Sequence, residues 1–93
     1  MFVMLLSSSV LLGQQKYALS GYINDGETGE TLIGATVYVP ALQQGVTTNE
    51  YGFYSITLPE GTYTLQISFL GFENISQPLV LDANQKLNFS LNA

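Results

Sequence analysis

Cysteine, histidine, tryptophan and arginine are all absent from this 93-residue chain, and lysine occurs only twice. Without cysteine there is no disulfide, zinc–thiolate centre, thiol nucleophile or N-terminal lipid anchor, so a folded domain must rest on its apolar core. Without histidine the chain lacks the commonest metal ligand and the usual general base near neutral pH. Two lysines against seven acids leave a net charge of −5. Such a surface repels phosphate backbones and anionic membrane surfaces, which excludes nucleic acid as a partner. Sustained helical spacing of apolar residues is missing too. So is any apolar run of the ~20 residues needed to span a bilayer.

The apolar, uncharged stretch at residues 1–12 breaks at Gly13. It is too short for a membrane span and fits the core of a secretory leader, with Leu11 and Gly13 at the −3 and −1 positions of the cleavage site. No basic residue precedes it, but three consecutive serines at 7–9 weigh against a buried first strand. The expected organisation is therefore a signal peptide over 1–13, a short segment over 14–16 and one domain over 17–92. Export to the periplasm follows from that leader. About 80 residues remain after cleavage, sufficient for two packed sheets but not for an enclosed catalytic cavity.

Alternation of period two runs through the rest of the chain, punctuated by turn residues. It predicts inward sets Leu19, Gly21 and Ile23; Ala35, Val37 and Val39; Tyr54, Ile56 and Leu58; Tyr63, Leu65, Ile67 and Phe69; and Leu87, Phe89 and Leu91. A further pairing segment is expected at 79–81. Turns fall at 25–30, Pro40, 49–52, 59–61, near Gly71 and at 82–84. Gly34, Gly52 and Gly61 are expected to serve turns, and Tyr54 and Tyr63 to fill the core with their hydroxyls at the rim. About seven short strands at this spacing predict an all-β, antiparallel β-sandwich.

Five segments carry a resemblance: 21–25 (Gly-Tyr-Ile-Asn-Asp), 28–37 (Thr-Gly-Glu-Thr-Leu-Ile-Gly-Ala-Thr-Val), 48–54 (Thr-Asn-Glu-Tyr-Gly-Phe-Tyr), 58–63 (Leu-Pro-Glu-Gly-Thr-Tyr) and 69–73 (Phe-Leu-Gly-Phe-Glu). In this order and spacing they resemble the carboxypeptidase regulatory-like domain over residues 17–92. The resemblance implies a seven-stranded, transthyretin-like Greek-key sandwich. A copy directly after a signal peptide looks like the N-terminal extension of TonB-dependent outer-membrane receptors. It implies a non-enzymatic accessory domain, outer-membrane associated, with a periplasmic or outer-membrane protein partner and no cofactor. TonB box, plug and barrel are not in the sequence. The alternatives are a carbohydrate-binding module and a structural spacer, or a stabilising appendage of a peptidase.

Sites are sparse. Asp25, Glu27 and Glu30 cluster in a glycine-containing turn, where acids are ordinarily solvated, and lack the spacing of a calcium loop. The hydrolase of ureide metabolism that shares the transthyretin-like architecture depends on histidines, which this chain lacks. A Lys16–Asn88 crosslink, as in related adhesin modules, lacks an inward acid to promote it. Asn74 and Asn88 fall in glycosylation-type sequons that read as chance. By alternation Tyr22, Tyr38 and Phe53 point outward and Phe72 follows a turn. Brought together, these aromatics would form a partner or glycan-stacking surface.

Overall fold

The computed structural model of the protein describes residues 15–93; the expected leader over 1–13 lies outside them. Eight strands alternate short turns with alternating apolar runs: β1 (Lys16–Asp25), β2 (Thr36–Val39), β3 (Gln44–Thr47), β4 (Phe53–Pro59), β5 (Gly61–Ser68), β6 (Ile75–Leu81), β7 (Gln85–Lys86) and β8 (Phe89–Leu91). They form two four-stranded sheets. In one, β1 lies between β4 and the consecutive pieces β7 and β8; the other has the order β3-β2-β5-β6. The all-β sandwich expected from the periodicity is the observed fold.

Register follows from the same alternation, because a slip of one residue would turn every apolar side chain to water. β1 and β4 pair antiparallel from Lys16 opposite Pro59 to Tyr22 opposite Phe53. That register buries Leu19 and Ile23 with Tyr54, Ile56 and Leu58. The facing sheet contributes Val37, Val39, Leu65, Ile67, Leu79 and Leu81, and β8 adds Phe89 and Leu91. Tyr63 and Phe69, expected inward, are half-buried against this core.

Three expectations need correction. The segment expected at 79–81 is a seven-residue strand beginning at Ile75. Pro78 hides it from a propensity reading, yet proline is tolerated in an edge strand, where its missing N–H faces away from the ladder. The closing strand is interrupted at Leu87 and Asn88, and both of its pieces run parallel to β1. The sandwich is thus not wholly antiparallel: the turn at 82–84 crosses from one sheet to the other, so the chain re-enters beside β1 in the same direction. Finally, Gly34 and Gly52 adopt left-handed backbone as a turn requires, but Gly61 does not. It opens β5 opposite Leu81, near the Tyr63 hydroxyl.

The β1–β2 loop, the β3–β4 turn, the β5–β6 turn and the end of β8 all lie at one end of the sandwich, hereafter the loop end. Thr48 ties this end together and is the buried polar residue among those described. Its Oγ1 accepts the Ala35 N–H at 2.9 Å and donates to the Leu32 carbonyl at 2.6 Å. Thr48→Val keeps the shape but strands both backbone groups. It is expected to cost about 2–3 kcal/mol, read as a lower urea midpoint at unchanged slope.

Candidate functional site

The four candidate aromatics do not converge. Tyr22 and Phe53 are directly opposed on β1 and β4, with ring centroids 5.2 Å apart. Tyr38 stands on the outer face of the other sheet, where its ring lies against Gly45 on β3. Phe72 packs at 5.6 Å on Phe69, half-buried against the core at the loop end. Alternation placed Tyr22, Tyr38 and Phe53 outward correctly. It could not assign them to a sheet, since period two carries no information on strand partners.

Three apolar residues that periodicity passed over are more exposed: Ile33 at 59 %, Tyr51 at 69 % and Leu70 at 96 %. Each immediately precedes a left-handed glycine, namely Gly34, Gly52 and Gly71. In a turn of this geometry the residue before the glycine sits at the tip and points away from the strands. All three tips belong to the loop end. The Gly34 N–H donates to the Thr48 carbonyl, and a cleft joins Gly34 to Leu70 and Phe72. The signal was present in the sequence as an apolar–glycine pair repeated in three turns, although no alternation surrounds it.

The charges at this end are all of one sign. Asp25, Glu27, Glu30, Glu50 and Glu73 lie in or beside the loop-end connections. Lys16 begins β1 at the opposite end, and Lys86 pairs with Ser20 midway along β1. The acidic turn is held by its own backbone: Asp25 Oδ1 accepts the Glu27 and Thr28 N–H groups, and the Gly29 N–H returns to the Asp25 carbonyl. Its carboxylates are therefore spread around a turn rather than converged on a point. Among the described residues no group of three or more His, Cys, Asp or Glu is placed to hold a metal ion.

The structure also disposes of a Lys16–Asn88 crosslink. Asn88 Oδ1 accepts the Tyr22 N–H at 2.8 Å, which places it six residues, or about 20 Å, along β1 from Lys16. Asn84 does the same for the Ala18 N–H. These amides extend the β1 ladder just before β7 and in the gap between β7 and β8, which makes them framework groups.

Comparison with known proteins agrees with this architecture. TonB-dependent receptor P3 of Formosa agariphila is 30 % identical over 95 residues; the match takes in 91 % of this chain but only 10 % of the receptor. A cohesin–X-dockerin complex of Acetivibrio cellulolyticus contains a chain that superposes with a TM-score of 0.68 at 23 % identity, over 78 % of this chain and 52 % of that one. The group B streptococcus pilus 2b backbone protein superposes with a TM-score of 0.63 at 21 % identity, over 82 % of this chain and 40 % of its own. At such identities the two structures speak for the fold alone. Residues 19–93 match the model of the CarboxypepD_reg-like domain, and the chain belongs to that family.

Proposed function

We propose that this domain is a non-catalytic interaction module of an exported, outer-membrane-associated receptor of the TonB-dependent kind, and that it engages a protein partner through its loop end. The observation carrying this reading is the set of Ile33, Tyr51 and Leu70, each held at a turn tip at an end whose charged side chains are all acidic. Exposed apolar groups with a charged rim mark interaction sites on small domains. Five acids without a neighbouring base favour a partner surface bearing lysine and arginine, steered in by charge. The receptor relative supports the setting, and the leader-like segment at 1–13 supports export.

In a receptor carrying this domain, Ile33, Tyr51 and Leu70 changed together to serine should lower nutrient uptake at least about 10-fold, the equivalent of one lost apolar anchor of ~1.4 kcal/mol. Receptor abundance in the outer membrane should stay constant, because all three side chains lie outside the core. Unchanged uptake would leave the domain a spacer and refute the interaction role.

A further inference from the structure

On the outer face of the β3-β2-β5-β6 sheet, bordering the loop end, an open cleft of about 350 Å³ is lined by Thr36, Tyr38, Gln66, Ser68, Asn74 and Ser76, with Ile67 and Ile75 beneath. That volume falls within the range of small-ligand sites, about 300–1,000 Å³. We propose that this cleft is a subsite for a neutral glycan, with the Tyr38 ring as its stacking platform.

Three features of the cleft converge on that ligand class. The first is its charge: no lining residue is ionised at neutral pH, in a chain whose net charge is −5. A neutral, hydroxyl-rich ligand matches such a wall, whereas an anionic one is repelled by the acids around it. The second is the aromatic. Tyr38 faces Gly45 across the β2–β3 ladder, and a Cβ at Gly45 would come within 3.1 Å of its ring. With no side chain to lift it, the ring settles against that strand and keeps 36 % of its surface exposed. A fixed aromatic surface is what the apolar C–H face of a sugar ring packs on.

The third is the state of the polar groups. Thr48, Asn49, Tyr54, Tyr63, Asn84 and Asn88 commit their polar side-chain atoms to the fold's own backbone. Among the described residues, none of the six polar side chains of the cleft makes such a bond. Hydroxyls and amides that both donate and accept are the groups that pair with sugar hydroxyls. A second cleft shares Thr36, Ser68 and Asn74 with the first and runs on toward Leu70 and Phe72.

The test is a titration of the ¹⁵N-labelled chain with neutral oligosaccharides (cello-, laminari-, malto- and xylo-oligosaccharides) up to about 10 mM, the range of a weak single-platform site. For at least one saccharide, amide shifts should gather at Tyr38, Gln66, Ser68 and Ser76. Tyr38→Ala should then weaken binding at least about 10-fold, while Tyr22→Ala on the other sheet leaves it unchanged. Gln66→Leu, at an exposed position, gives an independent reading should Tyr38→Ala perturb the sheet, and is expected to weaken binding severalfold. Absence of shifts with every saccharide, shifts centred on Tyr22 and Phe53, or binding that survives both Tyr38→Ala and Gln66→Leu would each overturn the assignment. The loop-end proposal is read separately, by uptake, and meets the cleft's extension at Leu70 alone of its three residues, so either can fail without the other.

Discussion

Gly21→Ala is expected to be severely destabilising, although it adds a single methyl group. A Cβ at Gly21 would lie 2.0 Å from the Leu87 carbonyl oxygen, 2.7 Å from its carbon and 2.9 Å from Asn88 Oδ1. Backbone carbonyls yield far less than side-chain ends, and this one is held on several sides. The Leu87 N–H donates to the Ser20 carbonyl at 2.8 Å, the Tyr54 hydroxyl donates to the Leu87 oxygen at 2.6 Å, and the Tyr22 N–H holds Asn88 at 2.8 Å. Relief therefore means detaching the β7–β8 segment from β1. The cost should exceed about 4 kcal/mol, the upper tail of single substitutions. A domain of this size has roughly 4–12 kcal/mol in all. Urea denaturation followed by circular dichroism reads the effect, and a loss below about 1 kcal/mol would show that the break in the closing strand is soft.

Tyr54→Ala is the second large effect, expected at about 4–5 kcal/mol by the same measurement. Tyr54 is the largest fully buried side chain, packs beside Phe89 at 6.3 Å, and caps the Leu87 carbonyl. Tyr54→Phe separates the two contributions: it keeps the ring and removes the hydrogen bond, for about 1–2 kcal/mol. Burial also pushes the Tyr54 phenol up from 10.0 to about 12. Its neutral form is thus favoured in the fold, so this contribution is intact below pH 10 and is lost as pH rises from 10 through 12. Absorbance at 295 nm should show one of the six tyrosines ionising late, and Tyr54→Phe should abolish that late step. Titration of every tyrosine near pH 10 would contradict the burial assigned to this hydroxyl.

Under the two proposals, the loop end and the Tyr38 cleft would serve two kinds of recognition. At the loop end, apolar tips sit in an acidic field, suited to a basic protein surface. The cleft is uncharged and lined by hydroxyls and amides, suited to a neutral polymer. The second cleft, which adjoins the first, reaches Gly34, Leu70 and Phe72 at the loop end.

Much of this was settled by the sequence alone. Alternation of apolar and polar residues determined the strands β1, β2, β4 and β5 and nearly every core residue, because period two against a single buried face admits only one register. The lack of histidine and cysteine removed the usual catalytic and metal-binding groups before any fold was known. Tertiary structure decided what period two cannot carry. It separated Tyr38 from Tyr22 and Phe53 by assigning them to different sheets, and it ran the closing strand parallel to β1. It also turned Gly21 from an unremarkable inward position into a point of backbone contact with Leu87. It gathered Ile33, Tyr51 and Leu70 from three distant turns onto one end. Each of these depends on which segments become neighbours across the sandwich, and neighbours are chosen by the packing of two whole faces, of which any one strand holds only a part.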